Sequence, residues 1–181
     1  MSANHAVLGV VLAGGLSRRM GTDKALLDYH GQTLLQHQVN ILASLCSRVV
    51  VSGDYAGFDC VPDSGDRCGP LGGLHAVCRR FPGRAMLVIP VDMPQLTPVL
   101  LQRLLQNRAA CHFEAQPLPA FFPDSRRFQD ALTEIFNQSE RGFSLRRLHE
   151  ALASQPLYDA DFEVMNINTP AEWVDFKQKY T

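Results

Sequence analysis

The sequence has no apolar run long enough to cross a bilayer. Its longest, Ala6 to Ala13, falls well short of the roughly 20 residues that a spanning helix needs. Met1 to His5 holds no Lys or Arg ahead of that run, and the run stops in Gly14-Gly15 rather than at a small-residue cleavage site. Neither a signal peptide nor a membrane partner is expected, and the cytoplasm is the default compartment. There is no excess of either charge: 17 Lys plus Arg against 18 Asp plus Glu leave a formal net charge of −1. No chain-wide basic field is available to hold a nucleic acid. No CxxC occurs, and the five cysteines, Cys46, Cys60, Cys68, Cys78 and Cys111, are an odd number at spacings of 14, 8, 10 and 33. A disulfide framework and a structural zinc site are therefore not expected; the thiols read as small buried hydrophobes. No repeat or low-complexity tract appears, which sets aside solenoids and linkers. What is present is 181 residues, 46% hydrophobic and 19% charged, the balance of one soluble domain with a full core.

Short apolar runs alternate with helical patterns. Ala6 to Leu12 is continuous and β-branched and reads as a buried strand, as do Arg48 to Ser52 and Ala85 to Asp92. Between them, Leu34, Leu35, Gln38, Ile41, Leu42 and Leu45 recur at helical spacing, and Gly69 to Phe81 reads as a helix opened by Gly-Pro. Thr97-Pro98 caps a further helix through Asn107. This alternation predicts βαβ units around a mostly parallel sheet, a three-layer α/β fold of Rossmann-like type. After residue 110 the pattern loosens. Pro117, Pro119 and Pro123 demote Ala115 to Pro123 to an edge strand or loop. Phe128 to Asn137 and Ser144 to Leu152 read as helices, Glu163 to Ile167 as a strand, and Pro170 to Lys179 as a closing helix capped by Thr169.

The first strand runs directly into Ala13-Gly-Gly-Leu-Ser-Arg-Arg-Met-Gly-Thr-Asp-Lys24. Parallel α/β sheets bind ligands beyond the carboxyl ends of their strands, so this loop lies where a ligand is expected. Gly14, Gly15 and Gly21 permit close backbone approach, and Arg18, Arg19 and Lys24 add positive charge, which together make a polyphosphate cradle. It is neither a P-loop, whose GxxxxGK[ST] spacing does not fit, nor a GxGxxG dinucleotide fingerprint. Asp92 ends the third strand at the same sheet edge, a hard oxygen ligand suited to Mg²⁺ beside a triphosphate.

Leu12 to Lys24 resembles the signature LAGGxSxRMGxDK of nucleotidyltransferases, and within them the molybdenum cofactor guanylyltransferase family. Gly69-Pro-Leu-Gly-Gly73 is similar to that family's GPLAG segment, Val91-Asp-Met-Pro94 to its CDMP segment and Asn166-Ile-Asn-Thr-Pro170 to its NINTP segment. The four blocks keep the family's order across nearly the whole chain. Gly72 and Val91 depart from its usual Ala and Cys, both beside the chemistry rather than in it.

The resemblance implies that GMP passes from GTP to molybdenum-molybdopterin with loss of pyrophosphate. It places Lys24, Arg19 and Mg²⁺-bound Asp92 in catalysis. Leu12, Ala13, Gly14, Gly15, Gly69 and Leu71 line the nucleotide, with Asp63 or Asp66 on the guanine or ribose. A carboxylate suits the paired donors of guanine, and Asp63 and Asp66 remain alternatives. Arg146, Arg147, Asn166 and Asn168 would meet the pterin; a solvated helix face is the competing reading of the two arginines. GTP is thereby assigned to residues 1–110 and molybdopterin to 111–181. A molybdenum insertase or a molybdoenzyme chaperone is implied as a transient partner. The alternatives are a cytidylyltransferase for the same cofactor, a sugar- or polyol-phosphate nucleotidyltransferase, and a catalytically idle nucleotide sensor or cofactor chaperone.

Overall fold

A computed structural model describes residues 7–14, 23–62, 69–114, 116–123, 126–138, 144–159 and 164–180. Expectations placed on Gly15, Arg18, Arg19, Gly21, Asp63, Asp66 and Cys68 lie outside these residues.

The three apolar runs form β1 (Leu8–Leu12), β4 (Arg48–Ser52) and β6 (Met86–Pro90). They are parallel, with β1 between the other two, and their ends are level: Leu12 pairs with both Ser52 and Pro90. Each run is apolar on both faces because helices cover both faces. Between β1 and β4 lie a short antiparallel hairpin, β2 (Asp28–Tyr29) with β3 (Gln32–Thr33), and helix α1 (Leu34–Ala43). Thr33 caps α1 by accepting from the Gln36 N–H at 3.1 Å. Helix α2 (Gly69–Arg80) follows β5 (Cys60–Val61), and α3 (Pro98–Leu105) follows β6, with Thr97 as N-cap and Pro98 in its first turn.

The rest of the chain returns three strands to the same sheet: β7 (Cys111–Phe113), β8 (Ala120–Phe122) and β9 (Gln155–Leu157). The order is β5-β4-β1-β6-β8-β7-β9, with only β8 antiparallel to its neighbours. Two expectations are corrected here. β8 is a buried interior strand and not an edge, because Pro119 and Pro123 flank the three ladder residues and leave all their N–H groups available. The stretch 164–167 is not a strand; it passes over the sheet's end, and the Ile167 N–H donates to the Asp92 carbonyl at 2.9 Å.

Helices α4 (Arg126–Asn137), α5 (Leu145–Leu152) and α6 (Pro170–Tyr180) complete the outer layers. One core holds Val11, Val51, Leu87, Ile89 and Phe121 against α1, α3 and α6. The other holds Val10, Val50, Val88, Ala120 and Phe122 against α2, α4 and α5. Alternate residues of each strand thus feed opposite cores, the period-two consequence of the pleat. Cys46, Cys60, Cys78 and Cys111 are free thiols, and burial pushes Cys46 up to about 12 and Cys78 and Cys111 to about 11. No helix among the described residues is long and apolar enough to cross a membrane.

Candidate active site

The level carboxyl ends of β1, β4 and β6 bring Ala13-Gly14, Ser52-Gly53 and Val91-Asp92 to one edge. The ladder extends past the strands here: Val91 N–H donates to Leu12 O at 3.1 Å, and the Ala13 and Gly14 N–H groups both donate to Ser52 O, at 3.1 and 2.7 Å. Gly14 therefore spends its donor inside the protein.

Lys24 opens a 3₁₀ turn (Lys24–Leu26) that Asp23 caps, its Oδ1 accepting from Ala25 N–H at 3.0 Å. That turn points the Lys24 ammonium back to the sheet edge. Nζ lies 3.1 Å from Asp92 Oδ2 and 2.8 Å from Asn168 Oδ1. The side chains of Lys24 and Asp92 are 15% and 20% exposed, so the ion pair is sheltered yet open to a ligand. Asp92 Oδ1 has no hydrogen-bond partner among the described residues.

Asn168 is fixed in turn by α6. Glu172 Oε2 accepts the N–H groups of Asn168 at 2.6 Å and Thr169 at 2.9 Å, while Thr169 Oγ1 accepts from Glu172 N–H at 3.2 Å, a capping box. The Asn168 N–H, together with the Thr169 donors and Lys24, holds the Glu172 carboxyl below its usual range. Asn168 was expected to face the pterin; its side-chain oxygen accepts from Lys24 Nζ. The segment 164–168 is not a strand, and the Asn166 Oδ1 is buried without a partner among the described residues.

The remaining expected residues are spread more widely. Leu71 sits at 1% exposure in the core, so only its backbone can face a ligand. Gly69, with φ +57°, turns the chain into α2. Arg146 is exposed on α5, in the layer opposite α6, and Arg147 reaches Gln138 Oε1 at 3.2 Å.

Tyr55 carries no signal in the sequence, lying in an irregular stretch, yet its hydroxyl is 3.1 Å from Ala13 O and 3.0 Å from Asp23 Oδ2. It thereby joins the residues on either side of the glycine-rich segment. Burial first, then the Asp23 charge, push its phenol above the ordinary range. Gly53, at φ +148°, leaves room for it, since a Cβ there would stand 2.6 Å from the Tyr55 ring.

Among the described residues, no group of three or more His, Cys, Asp or Glu that could hold an ion includes the candidate metal ligand Asp92. One carboxylate with an oxygen unpartnered among the described residues nonetheless fits Mg²⁺, which takes one or two carboxylates and completes its shell with phosphate and water.

The solved structure of molybdopterin-guanine dinucleotide biosynthesis protein A from Archaeoglobus fulgidus superposes with a TM-score of 0.74 at 22% identity, covering 95% of this chain and 97% of that one. A Mycobacterium tuberculosis protein solved in complex with manganese superposes with a TM-score of 0.62 at 18% identity, covering 95% and 98%. At these identities the likeness establishes the fold. A curated protein named molybdenum cofactor guanylyltransferase, from Xanthomonas euvesicatoria pv. vesicatoria, is 38% identical over 96% of this chain and 95% of its own length. Residues 9–155 match the model of the MobA-like NTP transferase domain, and the chain belongs to that nucleotidyltransferase family.

Proposed function

We propose that the chain transfers GMP from GTP to molybdenum-bound molybdopterin, forming the guanine dinucleotide cofactor. The observation that carries this reading is Lys24, held between Asp92 and Asn168 at the carboxyl edge of the sheet. The name of the Xanthomonas relative supports the choice of substrates.

A terminal phosphate oxygen of molybdopterin attacks the α-phosphorus of GTP in line; the bond to the β-phosphate oxygen breaks and pyrophosphate leaves. The attacking phosphate is already anionic near neutral pH, so the step asks for position and charge neutralisation more than for a protein base. Lys24 supplies a fixed cation to phosphate oxygens, with no reorganisation at the moment of reaction. Arg19 adds a second cation, and Gly15 allows the backbone to approach the phosphates. Asp92 would hold Mg²⁺, which when bound neutralises charge on the phosphate oxygens. Leu12, Ala13, Gly14, Gly69 and Leu71 contribute backbone around the nucleoside, with Asp63 or Asp66 reading guanine. Residues 1–110 thereby take GTP. Residues 111–181 take the pterin, through Arg146, Arg147, Asn166 and Asn168, the last also holding Lys24. The setting is cytoplasmic, with an insertase or a molybdoenzyme chaperone as a passing partner.

The test is pyrophosphate release from GTP, CTP and ATP with Mg²⁺, each with and without molybdenum-loaded molybdopterin. Release from GTP only when the pterin is supplied is expected. Release with CTP alone would convert the reading to a cytidylyltransferase, and nucleotide binding without any release would leave a sensor.

A further inference from the structure

Helix α1 buries Leu34, Leu35, Ile41 and Leu42 against the sheet, and at the centre of that apolar face stands Gln38, at 0% exposure. An amide at such a position loses water on both its polar atoms. Only one is repaid: Nε2 donates to the Met93 carbonyl at 2.6 Å, while Oε1 is buried with no partner among the described residues. A leucine or methionine would fill the same space without an orphaned acceptor, so packing alone does not account for glutamine here.

Its one bond falls on the turn that carries Asp92. Three consecutive carbonyls of that turn are each held from outside it: Asp92 O by the Ile167 N–H at 2.9 Å, Met93 O by Gln38, and Pro94 O by His37 Nε2 at 3.1 Å. Adjacent residues of α1 thus anchor one side of the turn while the segment leading to Asn168 anchors the other. Met93 is itself buried, at 1% exposure.

We infer that Gln38 is a positioning residue for Asp92, fixing the turn after β6 so that the carboxylate keeps its place beside Lys24. The inference rests on the proposed role of Asp92 in guanylyl transfer. Displacement of a reacting group by about 1 Å can cost around 10²-fold in rate, so a buried anchor one residue away has a direct route to catalysis.

Gln38→Met removes the donor, keeps the volume and leaves Met93 O its second donor, the Leu96 N–H at 3.3 Å. The thermal midpoint is expected to stay level or rise, and kcat to fall about 10- to 100-fold, with the Kd for metal-free GTP unchanged. Amide exchange followed by NMR gives a second readout: the Ile167 N–H, bonded to Asp92 O, should exchange about tenfold faster while β1 and β6 amides keep their protection. Should Gln38→Met not fold, His37→Phe removes the neighbouring anchor and should give the same pattern. A lowered midpoint with uniformly faster exchange, or normal Ile167 protection whatever the rate, overturns the inference. Exchange needs no turnover, so it judges Gln38 even if the wild-type protein proves unable to use GTP.

Discussion

Lys24 bonds two acceptors at once, Asp92 and Asn168, and the second lies 144 positions away in sequence. The cation is therefore held at a defined point, which is what separates a preorganised charge from a mobile surface lysine. Lys24→Ala should lower kcat/KM for guanylyl transfer about 10²- to 10³-fold, measured as pyrophosphate release. Lys24→Arg should not restore it, since a planar fork does not reproduce a compact ammonium between two oxygens. Asn168→Ala separates two roles for that amide. If it acts through Lys24, kcat falls at saturating pterin; if it contacts pterin directly, only the KM for molybdopterin rises. The geometry predicts the first outcome. Lys24 and Asp92 were legible in the sequence because each stands in a motif at a strand's carboxyl end. Asn168 was legible as a site residue but not in its contact, and Tyr55 not at all, because pairings across tens of residues leave no local period.

The segment presenting Asn168 is organised by the start of α6. Thr169 and Glu172 satisfy each other's N–H groups, and Glu172 takes the Asn168 N–H as well. Thr169→Ala should cost about 1 kcal/mol, a fall of roughly 2–4 °C in midpoint for a domain of this size. It should also lower the rate more than that loss of stability would, because Asn168 loses its fixed base. A variant with reduced midpoint and unaltered kcat would confine the cap to folding. The sequence disclosed this cap, as it disclosed β1, β4 and β6, because long apolar runs and Thr-x-x-Glu are local signals. It did not disclose β5, β9 or the β2–β3 hairpin, whose two or three residues are too few to show an alternation. Proline misled at β8, where it flanks the strand, and is tolerated in β9, where Pro156 lies at the edge of the sheet.

Across the whole molecule the two faces of the sheet carry different polar content. The face under α1 and α6 holds Gln38 and the supports of the site. The face under α4 and α5 holds a stack of rings: Phe128 on Phe122 at 5.0 Å, Phe122 on His149 at 5.6 Å, and His149 on His112 at 4.0 Å. His149 is 6% exposed; with Nε2 donating to Pro117 O at 2.9 Å, its buried Nδ1 is the bare nitrogen. A proton on either ring would be desolvated and would repel a proton on the other. Burial first, then His149, lower His112 to about 4, and burial lowers His149 against the opposing pull of the Pro117 bond. An unfolded chain binds these protons at the ordinary histidine value near 6.5, so between that pH and about 4 the unfolded state holds more protons than the native one. The pair is therefore without penalty above pH 6.5 and progressively destabilises the fold as pH falls below it. The thermal midpoint should drop between pH 7.5 and 5. His112→Phe, which keeps a ring on His149 and removes one titrating group, should flatten that drop. Because the stack lies on the face away from Asp92, the same variant should keep its kcat at pH 7.5. An unchanged slope in His112→Phe would place the acid sensitivity elsewhere.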